Sequence, residues 1–382
     1  MKISSERILT THVGSLPRPD SLAELLLKKE KDEDFSQNEL ANQVSIAVKN
    51  IVHKQSDIGL DIVSDGEMSK IAYSTYAKDR LTGFEGDSQR KINLDLVPYP
   101  NFREKMGRMT GNQPMRRPQC VGPVEVKDSE PLKKDLKNFK DALVGIDVTE
   151  AFMTSSSPGV ASMFMPNAYY DTHEEYVEAL GAAMKEEYQA IVEAGFLLQI
   201  DCPDLAMAFH TAFQGISKKD FLDRAYHHVA VLNNALRNIP EDSVRMHICW
   251  GNYEGPHDYD IPVNEIMSII LSARPMAIAF EASNPRHAHE WVDWRAAQIP
   301  DDKILIPGVL DSTSNFIEHP ELIAQRIETF TSIVGRERVI AGTDCGFGTF
   351  AGYGKMDPDI VFEKLSALTE GAQIASSRLW GG

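Results

Sequence analysis

Eight short apolar runs, each followed by helical sequence, place the tightest limit on how this chain can fold. They are ILTTHVGSLP, GLDIVSDGE, DVTEAFMTSSSPG, FLLQIDCPD, SVRMHICWGN, MAIAFEAS, ILIPGVLDS and RVIAGTDCGFG. Strands that alternate with helices pair in parallel, because each crossover must return the chain to the same end of the sheet. Eight such units are what a closed (β/α)8 TIM barrel needs. A doubly wound open sheet is the alternative, but no GxGxxG follows the first run. Helices are expected over Asn38–Asp57 and Asp359–Ser376, among others. Residues 73–143 break the rhythm. They are polar and Pro-bearing, with a hairpin expected around CVGPVEVKDSE and a charged helix near LKKDLKNFKDAL. The reading is a single catalytic barrel over residues 1–382, with 73–143 inserted between strands two and three.

The 382 residues suffice for one such core. A net charge of -17 speaks against a general nucleic-acid or anionic-membrane binder, since both need basic surfaces. No apolar run is long enough to span a bilayer, and MKISSERILT lacks the apolar core of a secretory signal. A cytoplasmic location is expected. The four cysteines (Cys120, Cys202, Cys249 and Cys345) lie far apart with no CxxC, so each is either packing or chemistry.

Barrel enzymes carry their chemistry at the carboxyl ends of the strands. In MHICWGNYEG, His247 and Cys249 are two apart at the end of strand five, on one face. Glu281 ends strand six and Cys345 ends strand eight. One nitrogen, two sulfurs and one oxygen form a tetrahedral Zn2+ donor set. Each cysteine alone reads more readily as core, but the group reads as metal, because a charged Glu281 at a strand end needs a partner. With two thiolates and a carboxylate the centre carries a net -1. Such a centre makes a poor Lewis acid for generating hydroxide, and it suits holding a substrate thiol as a nucleophilic thiolate. A catalytic zinc keeps one position open, so Glu281 is the ligand expected to yield.

Two further strand ends supply acids. Asp65 and Glu67 close strand two; Asp65-Gly66 is read as turn chemistry and Glu67 as functional. Asp201 ends strand four, with Asp204 in the loop beyond. Gly14-Ser15 closes strand one, where exposed backbone can grip a carboxylate or simply turn the chain. His210 and His257 fall in loops at the mouth. His53, His227, His228, His287, His289 and His319 are read as surface residues. Arg18, Arg116 and Arg117 are the basic residues that could reach the site.

TTHVGSLPRP, DIVSDGE, QIDCPD, HICWGN, FEAS and TDCGFG fall in the order seen in the cobalamin-independent methionine synthase family, which this chain resembles over roughly residues 5–375. The resemblance implies zinc-dependent methyl or alkyl transfer to a small thiol. It supports His247, Cys249, Glu281 and Cys345 as zinc ligands, and it sets Ser15, Glu67 and Asp201 around an amino-acid thiol such as homocysteine. Two departures stand out. Full-length members carry a second, N-terminal barrel, and the family usually writes Glu where this chain has Cys202. Short relatives include core methionine synthases and epoxyalkane:coenzyme M transferases. The leading expectation is methyl transfer from a 5-methyltetrahydrofolate-type donor to homocysteine, giving methionine. The alternatives are an epoxyalkane:coenzyme M transferase-like alkylation, a barrel whose zinc is structural, and a metal-free lyase resembling uroporphyrinogen decarboxylase.

Overall fold

The computed structural model describes residues 1–109, 116–352 and 356–381. Its central sheet consists of β1 (Leu9–Thr10), β2 (Ile62–Ser64), β3 (Glu150–Ser156), β4 (Leu197–Asp201), β5 (Val244–Ile248), β6 (Ala277–Phe280), β7 (Ile304–Leu310) and β8 (Ile340–Thr343). All neighbours pair in parallel, in the order β1-β8-β7-β6-β5-β4-β3-β2. Only the seam between β1 and β2 lacks a backbone ladder, and side chains bridge it. Thr11 Oγ1 donates to the Ile62 carbonyl at 3.2 Å, and Ser64 Oγ donates to the Gly14 carbonyl at 3.0 Å. The Thr10 N–H and hydroxyl both donate to the Asp61 carboxylate, at 2.8 and 3.0 Å. The expected (β/α)8 barrel is the fold.

Strand alternation sorts the apolar residues into two compartments. Leu9, Ile62, Phe152, Leu197, Ala277, Ile304 and Ile340 pack together inside the barrel. Val63, Met153, Leu198, Met246, Ile278 and Leu305 face the helical layer. Above the apolar interior lies a fully buried Arg245. Its guanidinium stacks 4.0 Å over Phe152 and donates to Gln199, Thr11 and the His12 carbonyl. A buried charge is tolerable when its donors are satisfied in this way. It forms the floor on which the mouth is built.

Helices begin and end where the local chemistry allows. Gln37–Ile58 starts at Ser36, whose side chain accepts the Glu39 N–H, and stops at Gly59, whose φ is +87°. Pro358–Trp380 starts at the Asp357 cap. The 73–143 stretch contains a 3-10 turn (Tyr76–Asp79), helices Pro100–Met109 and Glu130–Ala142, and a two-stranded ribbon. Residues 110–115 of it lie outside the described residues. CVGPVEVKDSE does not fold back on itself as expected. Gln119–Cys120 pairs with Phe84–Glu85, and Val126 bridges to Leu81, so the partner strand lies more than thirty residues upstream, beyond the reach of a local turn signal. Helix Glu130–Ala142 packs on Gln37–Ile58 within the outer layer. Among the described residues no helix is long and apolar enough to cross a membrane.

Candidate metal centre and substrate cavity

On β5, Arg245 and His247 alternate towards the barrel axis, and Cys249, one residue past the strand, continues the series. Cys345 arrives two residues past the end of β8. The ligand atoms of His247, Cys249 and Cys345 lie within 4.8 Å of one another, all buried. The two sulfurs are 3.8 Å apart. The hydrogen bond that the Cys249 thiol gives to Cys345, with burial, pushes that thiol well above its usual range. Two sulfurs this close resist ionising together, and a divalent cation between them reverses that penalty. The donor set therefore fits a soft metal. His247 places Nε2 3.2 Å from the Asp344 carbonyl and Nδ1 3.5 Å from Asp201.

Glu281, one residue past β6, stands beside this trio rather than within it. Its Oε1 accepts the Trp250 N–H and its Oε2 accepts from Asn284, both at 2.8 Å. Burial, then the neighbouring Cys249, raises its carboxyl well above the usual range. Each oxygen keeps a lone pair, and Cys249 lies next to it. Asp344, which the sequence reading passed over, ties these parts together. Its carboxylate accepts the backbone N–H groups of Ala282, Ser283 and Asn284 at 2.8–2.9 Å, fastening the Glu281 loop to the strand that carries Cys345. β7 comes close enough only because residue 308 is glycine; a Cβ there would overlap Asp344.

The acids gather at the same mouth. Asp201 ends β4 and accepts from Gln199 Nε2 at 2.9 Å. Glu67 Oε1 accepts from Thr154 Oγ1 at 2.7 Å, whereas its buried Oε2 has no partner among the described residues. Burial raises the Glu67 carboxyl, with Lys70 opposing and Asp201 reinforcing the shift. Gly14, at φ +138°, lets the β1 turn press on Thr154, where a Cβ would sit 2.5 Å from a methyl group. Ser15 closes against the Cys345 loop: its carbonyl accepts the Phe347 N–H at 2.8 Å and its hydroxyl the Gly348 N–H at 3.4 Å.

One cavity of about 410 Å3 touches Ser15, Glu67, Asp201, His247, Cys249 and Cys345. Its outer wall includes Lys91 and Arg117 from the 73–143 stretch, together with His173. Sequence reasoning named Arg117 only as a candidate and missed Lys91 and His173. Arg18 does not enter the cavity; it is spent on the Gly348 and Glu67 carbonyls. Arg116 pairs with Asp32 at the surface. Two histidines expected at the surface are buried, because each has found an acid. His228 bonds Asp204 at 2.9 Å. His287 bonds Glu290 at 2.8 Å and Asp260 at 3.1 Å. His210 and His257 join Asp260 in that second cluster, buried behind the mouth rather than lining the cavity.

Fold and mouth together define a barrel enzyme with a candidate soft-metal centre beside two buried carboxylates. The family described as cobalamin-independent synthase, catalytic domain, matches residues 8–94 and 157–355. Methionine synthases from two archaea are similar along nearly the whole length. The Saccharolobus solfataricus protein is 24% identical over 375 residues, covering 97% of this chain and 95% of that one. The Sulfurisphaera tokodaii protein is 25% identical over 373 residues, covering 97% and 93%. Among solved structures, a B12-independent methionine synthase from a Shewanella species, in complex with selenomethionine, superposes with a TM-score of 0.74 at 19% identity, over 98% of this chain and all of that one. A putative vitamin-B12-independent methionine synthase from Listeria monocytogenes superposes at 0.66 with 20% identity, over 96% and 98%. This chain belongs to the cobalamin-independent methionine synthase family, by its catalytic domain.

Proposed function

We propose that this protein is a zinc-dependent methyltransferase that methylates homocysteine from a 5-methyltetrahydrofolate-type donor to give methionine. The observation that carries this reading is a single cavity holding both the His247, Cys249 and Cys345 trio and the Glu67 oxygen that has no partner among the described residues. His247, Cys249 and Cys345 would hold the zinc, with Glu281 as the fourth ligand that yields to substrate. Bound there, the zinc would lower the pKa of the acceptor thiol and keep its sulfur nucleophilic. The residues of the chain do the rest. Glu67 Oε2 and Asp201 take the ammonium of homocysteine, and the Gly14-Ser15 backbone takes its carboxylate. Lys91 and Arg117, on the outer wall, suit an anionic donor.

The names of the archaeal relatives, methionine synthases, support the product. Four unpaired thiols fit the cytoplasm, where cysteines stay reduced. A second reading, alkylation of coenzyme M, draws on Arg117 and Lys91 in the same cavity, since a sulfonate wants cations. A sealed structural zinc suits the site less well, because both cysteines line the cavity. The test is turnover of homocysteine and of coenzyme M with a panel of donors, with zinc measured alongside. Methionine formation at about one zinc per chain supports the proposal. Turnover of coenzyme M alone, or of homocysteine by metal-free protein, rejects it.

A further inference from the structure

A chain of three buried or half-buried groups ends on the wall of the cavity that His247, Cys249 and Cys345 also line. Asp204, just past β4, accepts from Ser157 Oγ at 2.7 Å through one oxygen and bonds His228 Nδ1 at 2.9 Å through the other. His228 Nε2 lies 2.8 Å from His173 Nε2. His173 lines the cavity, its ring set edge-on to Phe213. The remaining ring nitrogen, Nδ1, has no hydrogen-bond partner among the described residues. Gly159 makes the arrangement possible, since a Cβ there would overlap both the Asp204 carboxylate and the His228 ring.

Taken with the methyl-transfer reading above, on which it rests, we propose that Asp204, His228 and His173 form a proton relay supplying the proton that the donor's leaving group takes up. The need follows from the reaction. The acceptor sulfur forms a bond to the methyl carbon, the carbon–nitrogen bond of the donor breaks, and its electron pair stays on nitrogen. The acceptor thiol has given up a proton, and the leaving nitrogen must gain one.

The hydrogen bonds allow two states that differ by one proton. In the charged state, His228 is an imidazolium, donating from Nδ1 to Asp204 and from Nε2 to His173 Nε2. His173 is then neutral and carries its proton on Nδ1. Delivery moves that proton to the leaving nitrogen, while the His228 Nε2 proton passes to His173 Nε2. This leaves both rings neutral, and the thiol proton released into the cavity restores the charged state. Positive charge rests on His228, against a carboxylate, and never on His173. Burial, with the charges of His228, Arg224 and His227 around it, pushes the His173 imidazolium down to about 3, so its neutral form is the one that faces substrate. His173 is the catalytic residue here, and Asp204 and His228 are positioning residues.

The test compares two donors with homocysteine as acceptor. 5-Methyltetrahydrofolate leaves as an amine that must be protonated; methyl iodide leaves as iodide and needs no proton. His173→Gln should lower kcat with methyltetrahydrofolate about 100-fold, within the usual range for a general acid. KM for homocysteine should stay within about twofold and the methyl iodide rate should be unchanged. Asp204→Asn, which removes the anion that holds the charge, should show the same split, with the folded state checked by thermal unfolding. Equal losses with both donors would make the chain a structural tie and overturn the proposal, as would full methyltetrahydrofolate activity in His173→Gln. A wild-type protein that fails with methyltetrahydrofolate overturns the methyl-transfer reading, and the relay with it. Wild-type turnover alongside an unaffected variant rejects the relay alone.

Discussion

At Glu67 the backbone adopts φ +58°, a conformation that costs a non-glycine residue on the order of 1 kcal/mol. Strain of this size persists where the surroundings hold it, and here Thr154 and the Arg18 contact to the Glu67 carbonyl do so. The result is a buried carboxylate with one oxygen that has no partner among the described residues. Glu67→Gln or Asp201→Asn is expected to weaken homocysteine binding by roughly 1–3 kcal/mol, the cost of losing a charge-assisted contact, read as a change in Kd by calorimetry. Unchanged binding in both variants would remove the ammonium site from the proposal. Cys345→Ser is expected to lose most of the bound zinc, measured by elemental analysis, with thermal stability close to that of the metal-free wild type. That His247, Cys249, Cys345 and the two acids meet at one mouth could be read from the sequence because each sits at or just past a strand end, where period-two alternation fixes its direction. Thr154, Lys91 and His173 could not. Thr154 holds Glu67 from the middle of a strand, Lys91 and His173 reach the cavity from a long excursion and from a helix start, and no local pattern marks any of these as belonging to the site.

Among the elements, the seam between β1 and β2 matters most to the mouth, because side chains close it instead of a ladder. His12 is at its centre, fully buried. Gln55 Oε1 accepts from Ser64 N–H at 2.9 Å and lies 2.7 Å from His12 Nε2. An amide oxygen can only accept, so His12 Nε2 carries the proton. His12 Nδ1, the lone-pair nitrogen, then accepts the Gly14 N–H at 3.1 Å. Protonating His12 breaks that last bond, and burial pushes its pKa down to about 3. The folded pKa lies below the unfolded value of 6.5, so between pH 6.5 and about 3 the unfolded chain binds more protons and stability falls as pH falls. From pH 6.5 to 5 this amounts to about 2 kcal/mol. Urea unfolding across that interval is expected to show the loss, and His12→Asn to flatten it. An equally steep loss in the variant would assign the acid sensitivity elsewhere. The sequence marked this segment as a strand ending in a turn. It did not show that only Leu9–Thr10 keeps strand pairing, because the side-chain bridges to β2 come from residues some fifty positions away.

At the scale of the whole molecule, the candidate metal site and the fold draw on different parts of the structure. The apolar barrel interior lies below Arg245, the larger apolar layer lies between sheet and helices, and the ligand trio sits at the rim above both. The trio spans β5 and β8, but those strands are already held by β6 and β7 between them and by Asp344, whose bonds involve no metal. Metal binding still stabilises the native state by mass action, about 4 kcal/mol at a free concentration a thousand times Kd. In a chain of 382 residues that shifts Tm by no more than roughly 10–15 °C, since each kcal/mol moves even a shorter domain by only 2–4 °C. Chelation is therefore expected to abolish methionine formation while leaving the far-ultraviolet circular dichroism and a cooperative, moderately lowered unfolding transition. Adding zinc back should restore turnover without a refolding step. Loss of the cooperative transition on chelation would show that the mouth holds the barrel closed, and would move the site from catalysis to structure.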